Sequence, residues 1–382
     1  MKLRPALVLW HRWFGLVASL WLIVLALTGS VIVFYDEIDI LLSSHRTATP
    51  IGDPLPLTAA IHAAETRHPG TYARFIDLPN GPTDTIRLFM ADREDSASPL
   101  EHETHVFADP YTGEIVGERF MGAWRLDRHH LMDFIYGLHL DLHLGGVAAW
   151  LLGLLAVLWT LDHGVAAVLA IPRLERWRRS FKVRWDASSQ RRTYDLHRAG
   201  GLWLLPITLV LAVSGAYFNW YDAFAAVAER VSDVTPRYPW TAPELDEPLY
   251  TMPVSLDDAL TTARVAADGA EVDMVTIYPH LGLYEARVFD PRDPDMYGRR
   301  MIAVDGTSGT VLSDHHTTEG TAADVFFVWQ YPLHSGKAFG WPGRLIIFAA
   351  GLGVAGLNVT GLVLWWRKRR SRRIGRRARL RG

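Results

Sequence analysis

The 382-residue chain contains no cysteine. That single absence excludes disulfides, zinc–thiolate sites, iron–sulfur clusters and covalent c-type haem attachment. Any metal must be held by histidine, methionine or carboxylates, and any haem must be non-covalent. No Gly-x-Gly-x-x-Gly run sits between a strand and a helix, so no flavin or nicotinamide fingerprint is visible. The net charge is only −2, yet charge is scarce or abundant by segment. The tail Arg367–Arg381 has ten Lys/Arg and no acid, and Arg173–Arg192 has eight against two acids. Residues 36–133 reverse the balance, with 17 acids and eight bases.

Hydrophobic residues make up 49% of the chain, and there are 15 Trp. Four stretches reach the roughly 20 apolar residues that a bilayer crossing needs: Trp13–Tyr35, Gly146–Ile171, Leu202–Trp220 and Arg344–Trp366. Among the polar residues inside them are His163, Asn358 and Thr360. The first run is too long for a signal h-region and no small-x-small site follows it, so an uncleaved helix is expected. The basic segments place both termini and the 173–194 loop in the cytoplasm. This topology accounts for the basic tail without nucleic acid. The expected protein is four-pass, with membrane helices at 1–35, 139–172, 195–220 and 341–366, and in a Gram-negative cell the membrane is the inner one. Segments 36–138 and 221–340 are then periplasmic, and 367–382 is a cytoplasmic tail.

The chain also matches itself. His11-Arg12 opens the first apolar run and His197-Arg198 the third, and in each a hydroxyl–Gly pair follows seventeen residues after the histidine: Thr28-Gly29 and Ser214-Gly215. Asp109-x-x-x-Gly113 pairs with Asp305-x-x-x-Gly309, and Tyr136-x-Leu-His139 with Tyr331-x-Leu-His334, at offsets of 186 to 196 residues. The fold expected is a membrane all-α four-helix bundle built from two tandem repeats, each with an inserted α+β periplasmic domain. Corresponding helices are then diagonally opposed around a core that facing side chains share with a cofactor. In the inserts, 57–67 and 256–267 read as helices. "TIRLFMA", "THVFADP" and "EIVGERF" alternate as half-buried strands, with turns at Pro110–Gly113 and Gly306–Gly309.

Sixteen histidines are present. His45, His62, His68, His102, His105 and His280 show no ligand spacing and read as surface or loop residues, as do the adjacent pairs His129-His130 and His315-His316. The acids Asp127, Asp133, Glu319 and Asp324 read as a solvated face. The informative histidines lie on the apolar helices, where ionisable groups are expensive. His11 and His197 lie at the cytoplasmic ends, and His139 and His334 at the periplasmic ends. His163 lies within the second helix, and His143 is one turn after His139 on the same expected face. Each membrane face thus offers two imidazoles from opposed helices. That suits two bis-histidine, non-covalent haems b better than a tetrahedral ion. The spacing leaves His11 or His163, and His139 or His143, open as ligands. The hydroxyl–Gly pairs fit room for a ring and fit close helix packing equally.

"HRWFGLVASLWLIVLALTGSVIVFYDEID" from His11, "LHLDLHLGGVAAWLLGLLAVL" and "DPYTGEIVG" resemble the PepSY-associated transmembrane family over nearly the whole chain. The second copy departs from the pattern, with His-Arg-Ala for His-Arg-Trp and "LHSGKAFGWPGR" for "LHLDLHLGG". The resemblance implies an inner-membrane ferric-siderophore reductase with two haems b, and His11, His139, His197 and His334 as candidates for its axial ligands, without choosing between His11 and His163 or between His139 and His143. It implies a ferric siderophore as substrate, the lipid bilayer as surroundings, and a cytoplasmic protein or membrane quinol as electron donor. The rival expectations are a membrane-anchored PepSY regulatory protein without redox activity, a transporter, and a haem quinone oxidoreductase.

Overall fold

The computed structural model describes residues 3–94 and 103–379. The helices are α1 (Leu3–Ile32), α2 (Tyr35–Leu42), α3 (Leu57–Arg67), α4 (Leu131–Leu140), α5 (Gly146–Ala170), α6 (Ser189–Asn219), α7 (Tyr221–Ala228), α8 (Leu256–Ala266), α9 (Ala322–Ser335) and α10 (Gly340–Arg379). The strands are β1 (Thr71–Asp77), β2 (Ile86–Asp92), β3 (Thr104–Ala108), β4 (Ile115–Phe120), β5 (Val272–Tyr278), β6 (Leu283–Val288), β7 (Arg300–Asp305) and β8 (Val311–His316). Two compact units result. One holds the long helices, and the other holds residues 34–137 and 225–332.

In the helical unit, four helices are long and apolar enough to cross a bilayer: α1, α5, α6 and α10. Their main contacts run α1 with α5, α5 with α6, α6 with α10 and α10 with α1. This closed ring puts α1 diagonal to α6 and α5 diagonal to α10. Small residues allow the close approach of α1 and α10. A Cβ on Gly351 would meet Oγ of Ser30 and stand 2.6 Å from the carbonyl of Ala26. The Ser30 hydroxyl also donates across the interface to the Phe348 carbonyl at 3.1 Å.

The second crossing differs from the expected single helix over 139–172. α4 ends at Leu140, and α5 begins only at Gly146. Asp141 causes the break. Its carboxylate accepts the backbone N–H of His143 and of Gly145 at 2.8 and 2.9 Å, offering the chain a turn in place of a helix. Leu142 and His143 are consequently left-handed, at φ 61° and 55°. His143 therefore does not share a helix face with His139. The second half breaks at the matching place, where Gly336 (φ 76°) and Gly340 (φ 57°) separate α9 from α10.

In the other unit, the two inserts are not separate domains. Their strands form one antiparallel sheet in the order β4-β3-β2-β1-β5-β6-β7-β8. The seam is β1 with β5, pairing Phe75 with Thr276, Ile76 with Val275 and Asp77 with Met274. α3 and α8 cover one face of this sheet over a shared core that includes Ala64, Ile76, Leu88, Val106, Leu260, Val275 and Ile302. α8 also caps α3. The Asp257 carboxylate accepts the N–H of Leu57 at 2.8 Å and of Thr58 at 3.2 Å, supplying the cap that Pro56 lacks. The β3–β4 and β7–β8 turns match atom for atom. Asp109 Oδ1 accepts from Tyr111 N at 2.8 Å and Asp305 Oδ1 from Thr307 N at 2.8 Å, with Gly113 and Gly309 left-handed.

Several residues read as surface are interior here. His105 is 1% exposed on β3 against Phe89, with neither ring nitrogen hydrogen-bonded. His316 is buried and shares its Nε2 with Asp293 at 2.9 Å. His45 stacks on His129, with ring centres 4.2 Å apart. Asp133 is enclosed with Tyr35 and Arg119, and Asp324 is buried against Thr235 and Thr321. His102 lies outside the described residues.

Candidate cofactor site

Each of the four helix-end histidines is anchored through Nδ1. His139 Nδ1 lies 3.0 Å from the Leu25 carbonyl and 3.2 Å from Thr28 Oγ1. His197 Nδ1 lies 3.0 Å from the Leu357 carbonyl and 3.1 Å from Thr360 Oγ1. His334 Nδ1 lies 2.7 Å from Ser214 Oγ. His11 Nδ1 lies 2.9 and 3.1 Å from the two carboxylate oxygens of Asp162.

These partners fix the tautomer. A carbonyl and a carboxylate can only accept. The hydroxyl protons are already committed to their own helices: Thr28 donates to Val24 O at 2.8 Å, Ser214 to Val210 O at 2.7 Å and Thr360 to Leu357 O at 2.9 Å. The proton on His11, His139 and His197 is therefore on Nδ1, leaving the Nε2 lone pair, and His334 takes the same form when the Ser214 hydroxyl donates to Val210 O. Among the described residues, none of these four Nε2 atoms has a hydrogen-bond partner. This is the arrangement of a histidine prepared to ligate a metal, with its other nitrogen held by an outer partner.

The four meet as two pairs from diagonal helices or from the short helices that lead into them. His11 and His197 have ring centres 6.1 Å apart, with planes at 56°. His139 and His334 are 6.2 Å apart, at 66°. His45 and His129, which stack face to face, sit closer, whereas edge-on pairs such as Tyr35 and Tyr136 have ring centres 5.9 Å apart. Two metal–nitrogen bonds of about 2.0–2.1 Å plus roughly 1.2 Å to each ring centre put axial imidazoles roughly 6.5 Å apart. Both pairs lie close to that separation. Seventeen residues of helix separate His11 from Thr28 and His197 from Ser214, so the two levels stand roughly 25 Å apart along the bundle.

Glycines make room for two of the rings. A Cβ on Gly29 would stand 2.8 Å from Cε1 of His139, and one on Gly361 would stand 3.1 Å from Cε1 of His197. Gly215 differs, since the nearest atom to its added Cβ would be Ala156 Cβ at 3.8 Å. Gly29 and Gly361 close the same run, Leu-x-x-Thr-Gly, at 25–29 and 357–361. In both, the Leu carbonyl and the Thr hydroxyl receive a histidine from a neighbouring helix. The copy ending at Gly361 was hidden in the sequence, because Thr360 reads there as an isolated polar exception. Asp162 was hidden too. The signal that reveals it is an acid inside an apolar helix.

The other two candidates are placed differently. His163 uses both nitrogens, Nδ1 with the Trp159 carbonyl at 2.7 Å and Nε2 with Thr208 Oγ1 at 2.9 Å, and ties α5 to α6. His143 lies in the turn after α4, with its backbone N–H on Asp141. His163 is thereby engaged outside the two pairs.

Fold and site together define a polytopic membrane protein: four apolar helices, an antiparallel-sheet domain inserted between them, and paired histidines inside the helical unit. The chain matches the PepSY-associated TM region over residues 8–368 and belongs to that family. No curated protein matches the chain.

Proposed function

We propose that the protein is a di-haem b oxidoreductase of the bacterial inner membrane that reduces ferric siderophore in the periplasm and releases Fe(II) for iron uptake. The observation that carries this reading is the doubled pair of Nδ1-anchored imidazoles, with ring centres 6.1 and 6.2 Å apart and no hydrogen-bond partner at Nε2 among the described residues. His11 and His197 would hold one haem and His139 and His334 the other. Haem supplies a one-electron couple at each level, and two levels in series span the membrane. Fe(II) binds hard oxygen chelators less firmly than Fe(III), so reduction favours release. On this reading the chain is two tandem repeats. The basic 173–194 loop and tail face the cytoplasm and the sheet domain the periplasm. The electron donor is a cytoplasmic protein or a membrane quinol.

The residues of the chain perform the binding and positioning. Leu25, Thr28, Ser214, Leu357 and Thr360 orient the imidazoles and fix the ligating tautomer. Gly29 and Gly361 clear the ring edges. The apolar helices exclude water, which strengthens the electrostatic effect of every polar partner. The test is a visible spectrum of the detergent-purified protein before and after dithionite, with a pyridine haemochrome count, followed by reduction assays with ferric hydroxamate and quinone in parallel. About two haems b per chain and faster oxidation by the ferric chelate are expected. A folded protein without a Soret band after expression with added haem would remove the proposal and leave an anchored regulatory domain. Preference for quinone would make the protein a quinone oxidoreductase.

A further inference from the structure

Three of the four anchors are neutral, and one is not. His139, His197 and His334 donate to carbonyls or hydroxyls, whereas His11 donates to the Asp162 carboxylate. Asp162 is 5% exposed within an apolar helix, a costly place for an acid. Among the described residues it forms no ion pair with Arg or Lys, and His11 is its one ion-pair partner. Asp195 provides the contrast, with Arg184, Arg191 and Arg198 all paired to it. Among the described residues, no Arg or Lys therefore stands within ion-pair distance to offset the negative charge on Asp162. α5 carries no Leu-x-x-Ser/Thr-Gly run, the device that anchors a histidine on α1, on α6 and on α10.

We infer that Asp162 is a positioning residue that sets the two cofactor levels at unequal reduction potentials, with the His11/His197 level the lower. The inference rests on the di-haem reading. Two effects act in the same direction. A carboxylate that accepts the Nδ1–H makes the imidazole a more basic ligand, which favours the oxidised metal. An uncompensated negative charge in a medium of low dielectric also favours the more positive, oxidised state. The neutral anchors at His139 and His334 provide neither effect. With haem bound at both levels, transfer of an electron from the His11/His197 level to the His139/His334 level would then be downhill. The symmetric scaffold thereby acquires a direction.

The experiment is a spectroelectrochemical titration of the purified holoprotein, compared with Asp162→Asn and Asp162→Glu. The unaltered protein should show two midpoints. In Asp162→Asn the lower midpoint should rise towards the upper, with two haems still bound, and Asp162→Glu should restore the separation. Two haems with both midpoints unmoved in Asp162→Asn would overturn the inference. Should Asp162→Asn lose a haem, Thr28→Asp decides, since it puts a carboxylate beside His139 Nδ1. A fall in the upper midpoint supports the inference, and no change refutes it. An unaltered protein without haem removes the proposed function first, and this inference with it.

Discussion

Replacing Gly29 by alanine tests whether the ring of His139 is held where a metal needs it. The added Cβ would stand 2.8 Å from Cε1 and 3.3 Å from Nδ1. Carbon atoms pack at about 3.5–4.0 Å, so the ring must retreat by roughly 0.7 Å. A metal–nitrogen bond tolerates about 0.2 Å. The retreat also stretches the bonds to Leu25 O and Thr28 Oγ1, and a buried polar group left unpaired costs about 1–3 kcal/mol. The helix gains at most about 1 kcal/mol from Gly→Ala. Gly15 on the same helix is the control, because nothing lies within 4 Å of its added Cβ. The pyridine haemochrome count should fall from two to about one in Gly29→Ala and stay at two in Gly15→Ala. A Gly29→Ala protein with both haems and an unchanged reduced α-band would refute the reasoning, since the ring would then be free to move without consequence.

Single replacement of His11, His139, His197 or His334 by alanine should each remove about one haem, whereas His163→Leu and His143→Ala should keep both; loss of haem in His163→Leu would reassign a ligand. Burial pushes the Glu285 carboxyl up to about 7 from 4.5. The folded protein therefore keeps a proton that the unfolded chain releases, and stability falls as pH rises between those values, by about 3 kcal/mol in all. Glu285→Gln should flatten that decline, and the difference in Tm between variant and parent should widen from pH 5 to pH 8; parallel curves would contradict the burial argument. Asp257→Ala removes the borrowed cap of α3 and should lower the stability of the sheet domain by about 1–2 kcal/mol in chemical denaturation.

The features legible in the sequence are those written in local chemistry. Leu57–Arg67 and the helix from Leu256 follow from their periodicity, and the hairpin turns follow from Asp109/Gly113 and Asp305/Gly309. The four apolar helices follow from length alone. The β1–β5 seam was not legible, because two strands separated by about half of the chain share no pattern that announces a pairing. His105 was misread because it sits among apolar neighbours in "THVFA" and was judged by residue type. The break at Asp141 was missed because an acid between His139 and His143 looks like one more helical residue until its carboxylate is seen to take two backbone N–H groups. The histidines were visible as candidates. Their anchors were not, since a carbonyl partner such as Leu25 or Leu357 carries no signature in its side chain.

The seam also has a cost in time. Roughly 200 residues separate β1 from β5, and synthesis at about 5–20 residues per second delivers β5 roughly 10–40 s after β1 has emerged. During that interval the Phe75–Asp77 edge presents unpaired backbone groups, a template for adhesion to other chains. The nascent first half must therefore be shielded, by a chaperone or by rapid completion of the chain. Premature termination in the loop after α5 should yield an aggregating product, not half a working protein.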